Sequence, residues 1–438
     1  MRHFIMIFLL ISALLNPSPA ATGQSSSAEF LPLDFSTRAY AHIVHLAGLG
    51  HRHVGTTNDR LTVQYIKKQF MDMNIAVEIQ PFEFKSFEYS RITLQAGDKE
   101  YDVQGLGLDP YKGKREYKGK ALVVDLNEPL ISCAPEQFEG KTIITNNWNG
   151  HFQLVRFKPE IVIYVDASAF ADLKSQDELP YTLHIEGEYK KYKSANIIGT
   201  IGNDNPSSKE IMITAHYDTY RTNNPGASDN ASGVGVMLEL ARSFKKIENR
   251  LNCAVKFVGF GAEEVGVVGS RNYLQSNAGP LHNCELLFNI DDVGGSGPIL
   301  VEMTGGVTGI AETKCASQIP EDVKAFSWEG VNSHWRMLAD DDLLKIMAAS
   351  NHPRWLVDVV NRSIEELGYT VQLTGTQGSD QIAFAQAGIV TSGIGIISQY
   401  RHGPNDVPEN INTKSLRIAG EIAAQVVRHA ANRLKVNN

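Results

Sequence analysis

Cysteine is scarce. Four residues, Cys133, Cys253, Cys284 and Cys315, serve a chain of 438. Their spacing makes no zinc-knuckle pattern, so they are read as structural, with Cys253 and Cys284 opening strand-like runs as candidate buried thiols. Positive charge is also in deficit. Lys and Arg number 41 against 49 Asp and Glu, a net charge of -8 at pH 7, which argues against nucleic acid and anionic membranes as partners. Beyond the N-terminus no run approaches the ~18 apolar residues of a spanning helix, so no stable membrane span is expected.

The N-terminus itself is different. Met1-Arg-His3 is basic, Phe4 to Leu15 is an apolar run of signal-peptide length, and Ser18-Pro-Ala20 fits a small-x-small cleavage site. A signal peptide over 1–20, cut after Ala20, is expected, with the mature protein secreted or periplasmic. No Cys lies nearby to accept a lipid. Residues 21–34 form a polar leader.

The length points to two domains, or one large domain with an insertion. Amphipathic spacing predicts helices from residue 36 (Ala39, Ile43, Val44, Leu46, Ala47) and over 58–73 (Leu61, Val63, Tyr65, Ile66, Phe70). The loop between them carries His51 and His53, read as structural or surface groups for want of a local carboxylate partner. Residues 91–190 change texture: short apolar runs alternate with Gly, Lys and Asp turns, as in an inserted, mostly β domain. From residue 191 strands and helices alternate, with strands at 194–202, 211–215, 254–260, 285–290 and 389–396 and helices at 230–245, 339–350, 353–367 and 415–433. Together with residues 36–90 this predicts a discontinuous α/β domain, a mixed and largely parallel central sheet flanked by helices.

Four predicted strands run into the same kind of residue. His216 and Asp218 follow the first, Glu263 and Glu264 the second, Asp291 the third, and His402 lies in the loop after the last. Strand ends of an open α/β sheet converge at one edge, and Asp229 is placed there too, opening the helix 230–245. Two imidazoles with several carboxylates and no thiolate suit zinc, other divalent ions being possible. Such a cluster without a cation costs several kcal/mol in repulsion between like charges. One ion needs only part of the set. Two ions need one His each, one terminal carboxylate each and one bridging carboxylate, places that His216, Asp291, Glu264, His402 and Asp229 fill. Neighbours at a strand end point in different directions, so one of the paired glutamates can bind metal while the other takes the proton of an attacking water.

His216-Tyr-Asp218, Gly226-Ala-Ser-Asp229-Asn-Ala-Ser-Gly233, Glu263-Glu264 with Gly269-Ser270, Asn289-Ile-Asp291, Ser379-Asp380 and His402 together resemble the co-catalytic zinc aminopeptidases of metallopeptidase family twenty-eight. The resemblance covers residues 36–90 and 194–430, and it implies a zinc exopeptidase type of fold. The inserted region resembles, more weakly, a protease-associated domain. The family pattern implies two zinc ions per chain, His216 and Asp291 on one, Glu264 and His402 on the other, Asp229 bridging. It implies Glu263 as general base, Asp218 as a hydrogen-bonded orienter of His216, and Ser379 and Asp380 lining the substrate pocket. Where the family usually has Met after the ligand Asp, this chain has Asp292, which would compete as a ligand or attract a basic substrate end. The implied activity is an exported aminopeptidase acting on peptide or protein N-termini. The alternatives are a glutaminyl-peptide cyclotransferase with one zinc, a dipeptide-directed carboxypeptidase, and an inactive binding ectodomain.

Overall fold

The computed structural model describes residues 30–107, 115–125, 137–146, 159–175, 178–202, 208–220, 223–276, 283–304, 353–374 and 379–436. The expected signal peptide, Cys133, Cys315 and the helix expected over 339–350 lie outside them. The described chain opens with α1 (Phe35–Gly48) and α2 (Thr57–Asp72); Thr56 caps α2, its side chain accepting from the Asp59 amide. Next come β1 (Ala76–Ala96), β2 (Lys99–Gly107), β3 (Glu116–Val123), β4 (Thr142–Thr145), β5 (Ile161–Val165), α3 (Ala167–Leu173) and β6 (Leu179–Ile201). Then follow β7 (Glu210–His216), α4 (Gly233–Lys245), β8 (Ala254–Phe260), α5 (Val268–Ser276), β9 (Cys284–Ile290) and β10 (Leu300–Thr304). The chain closes with α6 (Arg354–Leu367), β11 (Gln372–Thr374), α7 (Gln381–Gln386), β12 (Thr391–Gly395) and α8 (Thr413–Val436).

One ladder joins all these strands in the order β1-β2-β5-β4-β3-β6-β8-β7-β9-β12-β10-β11, with β1 also paired to β6. At its centre β8, β7, β9 and β12 run parallel. A parallel strand covered on both faces must be apolar on both, and every residue of β7 is buried. Its side chains divide by the pleat. Ile211, Ile213 and Ala215 join a core with Val234, Met237, Leu238 and Phe244 of α4 and with α1 and α8, while Met212 faces Phe260, Tyr273 and Phe384 on the other side. The architecture is the mixed α/β sheet flanked by helices that the alternation of strands and helices predicts.

The extra strands form an additional domain with its own core, in which Leu94, Ile144, Ile163, Val165 and Leu183 are fully buried. The expected boundaries at 90/91 and 190/191 fall inside β1 and β6, the first of them at a bulge between Tyr89 and Arg91. β1 and β6 pair antiparallel from Ala76 opposite Thr200 to Gln95 opposite Thr182. Along β6 both ends are buried and residues 186–193 are largely exposed. This polar stretch reads as a linker because it belongs to neither core, yet its hydrogen bonds carry the sheet across. Cys253 and Cys284 are free thiols at the start of β8 and β9, and burial pushes Cys253 up to about 11. No helix among the described residues is long and apolar enough to cross a membrane.

Candidate metal centre

Parallel pairing brings the polar residues together. His216 lies opposite Phe260 across β7 and β8, and Thr214 opposite Asn289 across β7 and β9. Residues just past these strand ends therefore meet at one edge. His216 and Asp218 arrive from β7, Glu263 and Glu264 from β8, Asp291 from β9. His402 reaches the same edge from the loop after β12, and Asp229 from the turn Ala227–Ser232.

Asp229 stands between the two histidines. Its Oδ1 is 3.1 Å from His216 Nε2 and its Oδ2 is 3.0 Å from His402 Nε2. Asp291 Oδ1 lies 3.2 Å from His216 Nε2, and Glu264 Oε2 lies 3.5 Å from His402 Nε2. Ligand atoms of His216, Asp229 and Asp291 cluster within 4.8 Å, as do those of Asp229, Glu264 and His402, and those of His216, Glu263 and Glu264. Two imidazoles each flanked by carboxylates, one carboxylate common to both, fit a pair of divalent cations. Glu264 also keeps one buried oxygen, Oε1, without a hydrogen-bond partner, a cost that a cation would remove. The side chains of Asp291 and His402 are 23% and 22% exposed, against 1% for His216, so the centre opens on their side. Tyr220 stacks on the His402 ring at 4.4 Å.

The electrostatics express the crowding. Burial, then repulsion from Glu264, Asp380 and Asp291, raises Glu263 well above the usual carboxylate range against the pull of His216. Burial and Asp229 do the same to Glu264. Burial opposes ionisation of Asp229 as well, but His216 and His402 override it and hold the carboxyl well below its ordinary value. Burial likewise opposes the charged form of His216, and Asp291 and Glu263 outweigh it, raising the imidazole. Carboxylates packed this closely bind protons or cations in preference to standing ionised alone.

Local structure holds these groups in place. Helix α4 begins at Gly233, three residues later than the sequence predicts, because residues 229 and 230 leave helical geometry. Asn230 caps the helix instead, its Oδ1 accepting from Gly233 N while its Nδ2 donates to Ile290 O. Gly226 sits at φ +62°, and a Cβ there would strike Thr219 and the Asp229 carbonyl. Ala262 and Val267, at φ +59° and +51°, bend the turn that bears the two glutamates; such residues cost of order 1–3 kcal/mol each and persist where the surroundings hold them.

Four of the expected roles need correction. Asp218 lies 3.6 Å from His216 Nδ1, too far for a hydrogen bond. Its oxygens instead accept the amides of Glu263 at 3.0 Å and Glu264 at 3.1 Å, so it fixes the glutamate turn. Asp292 is buried, and its carboxylate accepts from Ser228 Oγ and from Ser398 N, leaving it an anchor between two loops rather than a ligand or a substrate contact. Ser379 is turned into the sheet, where its hydroxyl accepts from Asn289 Nδ2. Asp380 is fully buried with neither oxygen hydrogen-bonded, and burial pushes it up to about 7. It is closed off from solvent.

Two supporting residues are invisible to pattern reading. Arg52, between the two histidines of the first loop, is fully buried and donates to the carbonyls of Leu46, Tyr217, Pro225 and Gly226. It ties down both ends of the segment from Asp218 to Asp229. Asp406, four residues after His402, accepts from Ser228 N at 2.7 Å and Asp229 N at 3.1 Å. That joins the His402 loop to the backbone of Asp229. Asp406→Asn replaces one acceptor by a donor facing an amide. Metal affinity is expected to fall about tenfold, as for other groups that support ligands. Competition with a chelator measures this, and an unchanged affinity would contradict the role.

Comparisons with known proteins bear on this geometry. Residues 196–327 match Peptidase family M28. The chain is 25% identical to "Aminopeptidase YwaD" of Bacillus subtilis (strain 168), the alignment covering 98% of this chain and 91% of that protein. Its structure is similar to "Aminopeptidase from Aneurinibacillus sp. strain AM-1", with a TM-score of 0.61, 21% identity, and 90% and 94% of the two chains covered. It is also similar to a zinc aminopeptidase from Bacillus subtilis, BSAP, with a TM-score of 0.58, 21% identity, and coverage of 91% and 95%.

Proposed function

We propose that this chain, whose residues 196–327 match Peptidase family M28, is a zinc-dependent hydrolase and an exported aminopeptidase with two zinc ions and a glutamate general base. One observation carries the two-ion reading: Asp229 turns one oxygen to His216 and the other to His402. His216 and Asp291 would hold one zinc, His402 and Glu264 the other, and Asp229 would lie between. When bound, the zinc supplies Lewis acidity, polarising the scissile carbonyl and acidifying water.

The rest falls to the chain's own residues. Glu263 takes the proton of the attacking water and delivers it to the leaving amine, a task suited to a carboxyl already raised by burial and like charges. Asp218 holds Glu263 and Glu264 by their amides, so base and ligand keep a fixed separation. The carboxylate excess favours a substrate presenting a cationic α-amine. The leader at 1–20 would direct export, and the additional domain would be of the protease-associated type.

The test combines composition and turnover. Elemental analysis is expected to give two zinc ions per chain, with release of chromophore from aminoacyl anilides and no cyclisation of N-terminal glutamine. One zinc with cyclisation would overturn the proposal in favour of the cyclotransferase. Two zinc ions with no hydrolysis of any peptide would leave a binding ectodomain.

A further inference from the structure

The two long strands that carry the additional domain, β1 and β6, also touch the segment that bears Glu263 and Glu264. Their register sets Gln80 opposite Asn196, Phe82 opposite Ser194 and Phe84 opposite Tyr192. Residues two apart on a strand share a face, so these six form one patch of the ribbon. The patch meets the segment from Gly261 to Gly269 in two ways. Asn196 is fully buried, and its Nδ2 donates to Gly269 O at 2.9 Å and to Gln80 Oε1 at 2.8 Å. Its Oδ1 faces the Gly261 amide at 3.5 Å. One side chain thus spans both ends of the segment. Between those ends, Ala262, Val265 and Val268 pack in one apolar cluster with Phe82, Phe84 and Tyr192. The rings of Phe84 and Tyr192 stack at 5.5 Å.

The fit is close. A Cβ on Gly269 would lie 2.6 Å from Asn196 Oδ1, and one on Gly261 would lie 2.6 Å from Ser194 Oγ. The segment also needs support, since Ala262 and Val267 hold positive φ, a conformation that persists where the surroundings over-determine it. Asp218 supplies part of that support through the amides of Glu263 and Glu264. The ribbon supplies contacts at both ends of the segment and along its apolar side chains.

We propose that Asn196 and Phe82 are positioning residues for Glu263, so that the strands carrying the additional domain also hold the general base in place. This rests on the aminopeptidase reading and adds a dependence on β1 and β6. A displacement of about 1 Å, caused by a substitution away from the chemistry, can cost about a hundredfold in rate. Glu264 stands on the same segment, so turnover is compared at saturating zinc, with two ions per chain confirmed for every variant.

With an aminoacyl anilide as substrate, Phe82→Ala and Asn196→Ala are each expected to lower kcat by about tenfold to a hundredfold. KM should stay within about threefold of wild type. Phe82→Leu, which refills most of the space, should recover most of the loss. The cycle with Glu263→Gln decides how the effect travels. A residue that acts through Glu263 costs little once the base is gone, so F82A/E263Q should differ from E263Q by no more than about threefold in kcat. Leu94→Ala, in the core of the additional domain, controls for lost stability and should leave kcat unchanged. Hydrogen exchange needs no turnover: amides of residues 261–269 should exchange faster in Phe82→Ala, while those of β9 keep their wild-type rates. An unchanged kcat in folded Phe82→Ala, losses that multiply in full with Glu263→Gln, an equal loss in Leu94→Ala, or unchanged exchange at 261–269 would each overturn the proposal. If the wild type cleaves no anilide or peptide, or Glu263→Gln keeps full activity, the underlying reading of activity or base fails instead. Exchange then still decides whether the ribbon holds the segment.

Discussion

Glu263→Gln is expected to lower kcat by about a thousandfold while zinc content stays at two ions per chain, in line with the 10²–10⁴ that a positioned general base contributes. The substitution is nearly isosteric and does not touch the hydrogen bond from the residue 263 amide to Asp218. The turn should therefore keep its shape, with Glu264 still in place. KM should change by no more than about threefold, because the lost interaction is made in the transition state. Steady-state kinetics with parallel elemental analysis separates the outcomes. A kcat within tenfold of wild type would assign the base elsewhere, Asp380 being another raised carboxyl that acts on Glu263. Loss of zinc would make Glu263 a ligand, which its clustering with His216 and Glu264 also permits geometrically.

Asp229→Asn attacks the centre itself. An amide keeps the shape but presents one oxygen and one NH₂ where the carboxylate presents two anionic oxygens. One histidine side would then lose its shared ligand. Zinc content is expected to fall from two ions to one or fewer, with kcat/KM down by at least about a thousandfold, since both positioning and charge stabilisation depend on the intact pair. Binding to the folded state alone stabilises it, by about 2.7 kcal/mol at a hundredfold excess over Kd. The gain in Tm on adding zinc should thus shrink in the variant. Two zinc ions retained with the full thermal shift would exclude Asp229 as the bridge.

The two variants differ in what they leave standing. Glu263 sits on a turn whose geometry is set by Asp218 and by the backbone, since the Glu263 carbonyl accepts from the amides of Gly266 and Val267. Its side chain can be altered without moving the proposed metal ligands. Asp229 is held by Asp406 at its amide, by Asn230 next to it, and by Arg52 through Gly226. Its carboxylate is the member of the set placed between the two histidines, so an altered side chain there affects both halves at once. The Asp406→Asn variant, which moves the Asp229 backbone and not its chemistry, should give the weaker version of the same phenotype.

The central sheet and the residues at its edge were legible in the amino-acid pattern. Parallel strands covered on both faces must be continuously apolar, so runs such as 211–215 and 254–260 announce themselves, and a polar residue directly after such a run has few places to go but the edge. That is why His216, Asp218, Glu263, Glu264 and Asp291 could be named together. What each does there depends on contacts made in three dimensions. Asp218 and Asp292 are the same residue type, each two positions or fewer from a proposed ligand, but one accepts the glutamate amides and the other spans Ser228 and Ser398. Arg52 and Asp406 act on backbone amides and carbonyls far away in sequence, and such contacts leave no local periodicity to read. The polar stretch 186–193 shows the same limit in the fold. Side-chain pattern reports which core a residue joins, whereas ladder hydrogen bonds are made by the backbone and pass through residues that join none.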